Sequence, residues 1–278
     1  MKALAPYAEQ IGDEVHRLVL AVHRQMRATR PDEIARWREK VGGNATPLII
    51  TMRPFIEAST STRDIANRLS RYALPAVLES WISEAITSGL FNEDFVPSPK
   101  AKHLAAHLTE MQSDLMSEMW DSTDRLDQMV ATIEPVIDGI PDRYHGDAFS
   151  LTRAWVALPR PESSTAFRLH HLLTVLRYLR ADCHFEVLYE AELVPGEAAR
   201  LDAAWRAREA THDHPLENLV LRGLVTPEGE ITAEGKLYRD SIEAETNSAS
   251  GTAWVVLNEG ERNQLLADLA QLPDHVPG

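Results

Sequence analysis

The chain of 278 residues has one cysteine, Cys183, so it can build no internal disulfide framework, and a reducing compartment is expected. It has no apolar run long enough to span a bilayer. Its opening, "MKALAPYAEQIGDEV", lacks the apolar core of a secretion signal, so a cytoplasmic location is expected. There is no phosphate-cradling glycine loop and no G-x-S-x-G nucleophile turn, which excludes the commonest nucleotide and hydrolase sites. Basic residues are also scarce. Lys and Arg number 28 against 42 Asp and Glu, a net charge of −14, which disfavours non-specific binding to nucleic acid or anionic membranes. The one exception runs from His16 to Arg71, with eleven basic and five acidic residues. Segments such as "RPDEIARWREK" within it also read as solvated helical faces.

What is present is helical periodicity. The hydrophobic content of 44% supports a sizeable core. "YAEQIGDEVHRLVLAVHRQM" puts Ile11, Val15, Leu18, Val19 and Val22 on one stripe. "PDEIARWREKVGG" starts with proline and stops with glycine. "TPLIITMRPFIEA", "STSTRDIANRLS" and "ALPAVLESWISEAITSGL" follow as helices, then two short extended pieces in "FNEDFVPSPKAKHL", then a long helix. This is the order of a winged helix-turn-helix. It recurs: "SGLFNEDFVPSPKAKHL" pairs with "RGLVTPEGEITAEGKLY", and the separation from Gly89 to Trp120 equals that from Gly223 to Trp254. The predicted architecture is mainly α, with two tandem winged helix-turn-helix units forming an intramolecular pseudo-dimer. The first unit covers 1–134 and the second 166–278. Residues 135–165, rich in Pro, Gly and Asp, read as a connector on which Trp155 packs.

The second half resembles an actinobacterial family of two-winged-helix "helix-turn-helix domain" proteins over about its last 90 residues. The resemblance rests on Arg177, Arg180, Asp182, His184, Arg222, Gly223, Gly229, Thr232, Gly235, Arg239, Glu243 and Thr246. The first half is similar only in outline to MarR-type regulators and to the dimerisation domains of O-methyltransferases. The resemblance implies a fold rather than an activity.

A DNA-reading helix needs cations and amides facing bases and phosphates. "ALPAVLESWISEAITS" offers Glu79 and Glu84 and no basic residue, "HPLENLVLR" offers one arginine, and the first wing carries Glu93 and Asp94. The DNA-reading surface is therefore expected to be degenerate. Arg63, Arg68 and Arg71 are the residues that would contact DNA if it is not.

"RLHHLLTVLRYLRADCHFEVLYEAEL" concentrates the polar candidates. His170, Arg177 and His184 recur every seven residues. The outer two are about 21 Å apart on a straight helix, too far to share a metal ion. The stripe suits one wall of an elongated pocket for a small organic ligand, with His170, Arg177, Arg180, Asp182 and His184 as candidate ligand-binding residues. His184 is the candidate acid or base if there is catalysis. The competing expectation is that these groups pair with neighbours for structure alone. His16 and His23 repeat the spacing and could face the stripe. "HLAAH" (His103, His107) lacks the glutamate of a metalloprotease helix, "THDHP" reads as a helix start, and no metal site is expected. Three functions follow: a small-molecule binder on a degenerate winged-helix scaffold, a ligand-responsive regulator, or an enzyme. The cofactor is open, no membrane partner is expected, and the chain is read as a pseudo-dimeric monomer or a homodimer.

Overall fold

The computed structural model describes residues 4–42, 45–58, 75–194, 196–208 and 216–276. The fold is mainly α. Helix α1 (Ala5–Thr29) buries the whole predicted stripe, with Ala8 and Met26 extending it. Helix α2 (Pro31–Val41) starts on its proline and stops at Gly42, whose φ of 85° favours glycine. Then come α3 (Thr46–Ala58), α4 (Pro75–Thr87), α5 (Pro99–Trp120) and α6 (Leu126–Asp138).

Residues 135–165, whose sequence is short of helical pattern, are mostly helical. Helix α6 runs through Pro135 to Asp138, followed by α7 (Ile140–Arg143), a 3-10 turn and α8 (Ser150–Ala157). Segments this short show too few turns to display an apolar period, so their prolines and glycines dominate the reading. Trp155 packs as expected, stacked on Tyr178 at 5.2 Å.

Helix α9 (Thr165–Glu190) is the axis of the molecule. Ser164 caps it by accepting from the Phe167 N–H at 3.2 Å. It packs against α1, α5, α6 and α8, and against α12 (Ala233–Gly251). Leu169, Leu172, Val175, Leu176 and Leu179 are buried on successive faces, as in a helix surrounded by protein. Its polar side chains are therefore committed to interior partners or cavities. Helix α10 (Glu197–Trp205), α11 (Glu217–Leu221) and α13 (Glu259–Gln271) complete the fold. Asn258 and Glu261 close a reciprocal cap on α13, and Arg17 of α1 donates to the Leu269 and Leu272 carbonyls at its end. One apolar cluster extends from Ala8 to Leu272, and a second small one gathers Leu201, Leu219, Leu224 and Val225.

Both expected hairpins form, each through one antiparallel bridge: Phe91 with Pro97, and Val225 with Ile231. Their details repeat. Gly89 and Gly223 have φ of 69° and 68°. The Ser98 hydroxyl donates to the Gly89 carbonyl and caps α5; the Thr232 hydroxyl donates to the Gly223 carbonyl and caps α12. At the capped position the first copy has Ala101, whereas the second has Gly235. A Cβ on Gly235 would lie 1.9 Å from the Leu224 carbonyl oxygen, so the closer approach of wing and helix there requires glycine.

Candidate functional site

The five polar candidates on α9 are sent to three places. His170 and Arg177 line a narrow internal space of about 20 Å³, bordered by α1, α3, α5 and α8. Arg180 and His184 line an open cleft of about 280 Å³ between α9, α10 and α12. Asp182 reaches neither. It is 2% exposed and accepts from the Thr152 N–H (3.0 Å) and hydroxyl (2.7 Å) at the start of α8. The physical reason is the pitch of the helix. Two heptads place His184 about 21 Å along the axis from His170, where different helices pack against α9, and Asp182, about 120° around the helix from His170, faces α8.

The cleft has an apolar wall of Phe185, Leu188, Leu193 and Ile242 and a charged floor. Arg180 donates to Glu243 at 2.5 Å and to Asn247 at 3.1 Å. Arg239 donates to Asp202 at 2.8 Å and pairs with Glu243, one turn along α12. Arg206 grips Asp202 through both carboxylate oxygens. Burial pushes the Glu243 carboxyl up, but Arg239 and Arg180 outweigh it and hold the group down at about 2. His184 Nδ1 lies 3.0 Å from the Thr246 hydroxyl, whose own proton goes to the Ile242 carbonyl. Nδ1 is therefore the donor and Nε2 carries the lone pair. Burial lowers His184 to about 4, with Glu243 opposing and Arg239 and Arg180 adding. The imidazole is neutral at pH 7. Three arginines face two carboxylates here, leaving one positive charge in excess.

Of these floor residues, Asp202 and Arg206 are visible in the sequence only as an i,i+4 pair on their own helix, with nothing that links them to α9. Arg239 and Glu243 are visible as an i,i+4 pair after the second wing. Arg53, which lines the inner space, was legible as the lone arginine in the apolar run "TPLIITMRPFIEA". In that space Arg53 stacks over Trp155 and Arg177 over Tyr178, at 5.5 and 5.8 Å from the ring centroids. His23 of α1 lines the space with His170 and His171, so the heptad histidines of α1 do reach α9.

The wing tips are acidic and exposed in both copies, through Glu93 and Asp94, and through Glu228 and Glu230. Helix α4 carries Glu79 and Glu84 and no basic residue. On α11, Asn218 is bound to Glu197 (2.7 Å) and the following Arg222 to the Tyr238 hydroxyl (2.7 Å). That helix presents Glu217, Asn218 and Leu221 outward, the last 86% exposed. Arg63, Arg68 and Arg71 lie outside the described residues, as do His212 and His214. His107 lies 3.6 Å from Glu33 and 3.7 Å from Glu110. Among the described residues no three His, Cys, Asp or Glu side chains stand together as a metal site, and no helix is long and apolar enough to cross a membrane. Cys183 is buried, and burial followed by Asp182 pushes its thiol up to about 12.

A family model described as a helix-turn-helix family matches residues 95–277, well over half of the chain. No curated protein and no solved structure matches the chain.

Proposed function

The chain belongs to the helix-turn-helix family, and on that scaffold we propose a protein that binds a small organic molecule in the cleft between α9, α10 and α12. The observation that carries the reading is the cleft itself: about 280 Å³, near the lower end of small-molecule sites, with an apolar wall facing a fixed ionic floor. The ligand has an apolar body against Phe185, Leu188 and Ile242. Its singly anionic end meets the excess charge of Arg180, Arg206 and Arg239, and a hydroxyl or N–H beside that end donates to the His184 lone pair. His184 is a hydrogen-bond acceptor in this reading, not a base. The two hairpin-and-helix units, related by duplication, pack as a pseudo-dimer, with α9 of the second unit as the shared axis.

Ala199 lies at the mouth of the cleft and is exposed, so Ala199→Trp fills the opening without disturbing the core. Native mass spectrometry after incubation with a small-molecule extract of the cells that express the gene tests the reading. The wild-type chain gains a discrete adduct of metabolite mass and Ala199→Trp does not. No adduct, or one retained by the filled variant, would overturn it.

Family membership favours a second reading, a ligand-responsive DNA-binding regulator. The four exposed acids at the wing tips oppose it, because a wing meets phosphates. Fluorescence anisotropy with the gene's own upstream DNA separates the two. The binder reading predicts no salt-sensitive association at micromolar protein, whereas salt-sensitive, sequence-dependent binding supports the regulator.

A further inference from the structure

The inner space on the other side of α9 is unlike the cleft. It holds two guanidinium groups, and no carboxylate lines it. Arg53 is paired outside it with Glu57 at 2.7 Å; among the described residues no carboxylate pairs with Arg177. Three buried polar atoms of its lining have no hydrogen-bonding partner among the described residues: Trp155 Nε1, Arg177 Nε and His170 Nε2. Trp155 and His170 are each 4% exposed. Buried donors left unmatched are rare, because each gives up its hydrogen bonds to water without a replacement. Two of the three can only donate, and the third donates in one imidazole tautomer. The space of about 20 Å³ takes one atom-sized guest.

We propose that Trp155 Nε1–H, Arg177 Nε–H and His170 form a binding site for a monovalent anion of halide size between α1, α3, α5, α8 and α9. The guest accepts two or three hydrogen bonds and neutralises charge that the fold leaves unmatched. Burial lowers His170 to about 3, so its imidazole is neutral at pH 7, and the surplus positive charge at the space is that of the guanidinium groups alone. An anion relieves that surplus, and a water molecule does not. Two groups on the wall hold the donors in place: Tyr178 is hydrogen-bonded to both Thr51 and Arg177, and Trp155 stacks on Tyr178.

The test uses the full chain. Crystals soaked in sodium bromide and measured at the bromine edge should show an anomalous peak within hydrogen-bonding reach of Trp155 Nε1 and Arg177 Nε. In solution, chloride or bromide at constant ionic strength should raise the melting temperature saturably, whereas nitrate, acetate and sulfate, each larger than one atom, should not. Trp155→Phe and Arg177→Met each remove one donor and should weaken the apparent affinity roughly tenfold or more. If Arg177→Met does not fold, Trp155→Phe and the diffraction experiment still decide. Ala199→Trp should leave the anion response intact, so the outcome here is separate from that of the cleft. Absence of bromide at the site, with only water bound, or equal responses in wild type and Trp155→Phe, overturns the proposal.

Discussion

Replacing Asp182 with alanine distinguishes a structural carboxylate from a ligand-binding one. Asp182 is 2% exposed and accepts two hydrogen bonds from Thr152, one from the backbone and one from the hydroxyl. Alanine leaves both Thr152 donors without their acceptor at the first turn of α8. Leaving two buried donors without an acceptor costs about 1–3 kcal/mol each, less what is regained by no longer burying a charge. We expect a net loss of about 3 kcal/mol, and a fall in melting temperature of roughly 5 °C for a chain of this length. Urea denaturation at neutral pH measures it. Thr152→Val alone should cost less, because the backbone N–H still donates, and the double variant should cost little more than Asp182→Ala by itself. Because Asp182 lines neither cavity, ligand affinity should be unchanged in a variant that is still folded. A loss below about 1 kcal/mol, or additive single and double variants, would refute the assignment of Asp182 to α8.

Acid stability reports the buried imidazoles. His23, His171 and His184 are lowered to about 4 and His170 to about 3, by burial first in every case. Unfolded histidine titrates near 6.5, so between about 6.5 and 4 the unfolded chain binds protons that the folded chain refuses. Stability therefore falls with pH in that window, by up to about 1.4 kcal/mol per pH unit for each histidine, and levels off below it. Urea midpoints from pH 7 to 4.5 check this; a flat profile contradicts it, and His170→Asn should flatten it in part. Gly235→Ala should destabilise the second wing by about 2 kcal/mol or more, since its Cβ meets the Leu224 carbonyl, whereas Ala101→Gly in the first copy should cost only about 1 kcal/mol of helix propensity. Cys183 should react with a disulfide reagent at pH 8 no faster than the chain opens, given its burial and a thiol at about 12; immediate labelling of the folded protein would contradict that burial.

The repeated units were legible because their signals are local. A glycine that turns left-handed, a short hairpin and a Ser or Thr cap occupy fixed positions in both copies, and local chemistry fixes each of them. The short helices α7 and α8 were not legible, since tertiary packing of Leu151 and Trp155 holds them rather than any periodic pattern. Helix α9 was found, but its faces were misassigned to one wall. A helix buried on every side has no solvent face against which to read a stripe, so spacing alone could not tell that Arg177 and His184 open into different cavities. The remaining members of the cleft floor, Asp202 and Arg206, come from α10, a separate helix brought in by the fold, and no spacing rule connects them with α9.

The central claim is that the cleft between α9, α10 and α12 holds an amphipathic molecule by an apolar body and an anionic end. Calorimetric titration with 1-anilinonaphthalene-8-sulfonate, which has that shape and charge, tests it most directly. The account predicts saturable one-to-one binding that Ala199→Trp abolishes, Arg239→Met weakens, and Trp155→Phe leaves unchanged. Unsaturable binding, or equal binding to wild type and Ala199→Trp, would contradict it.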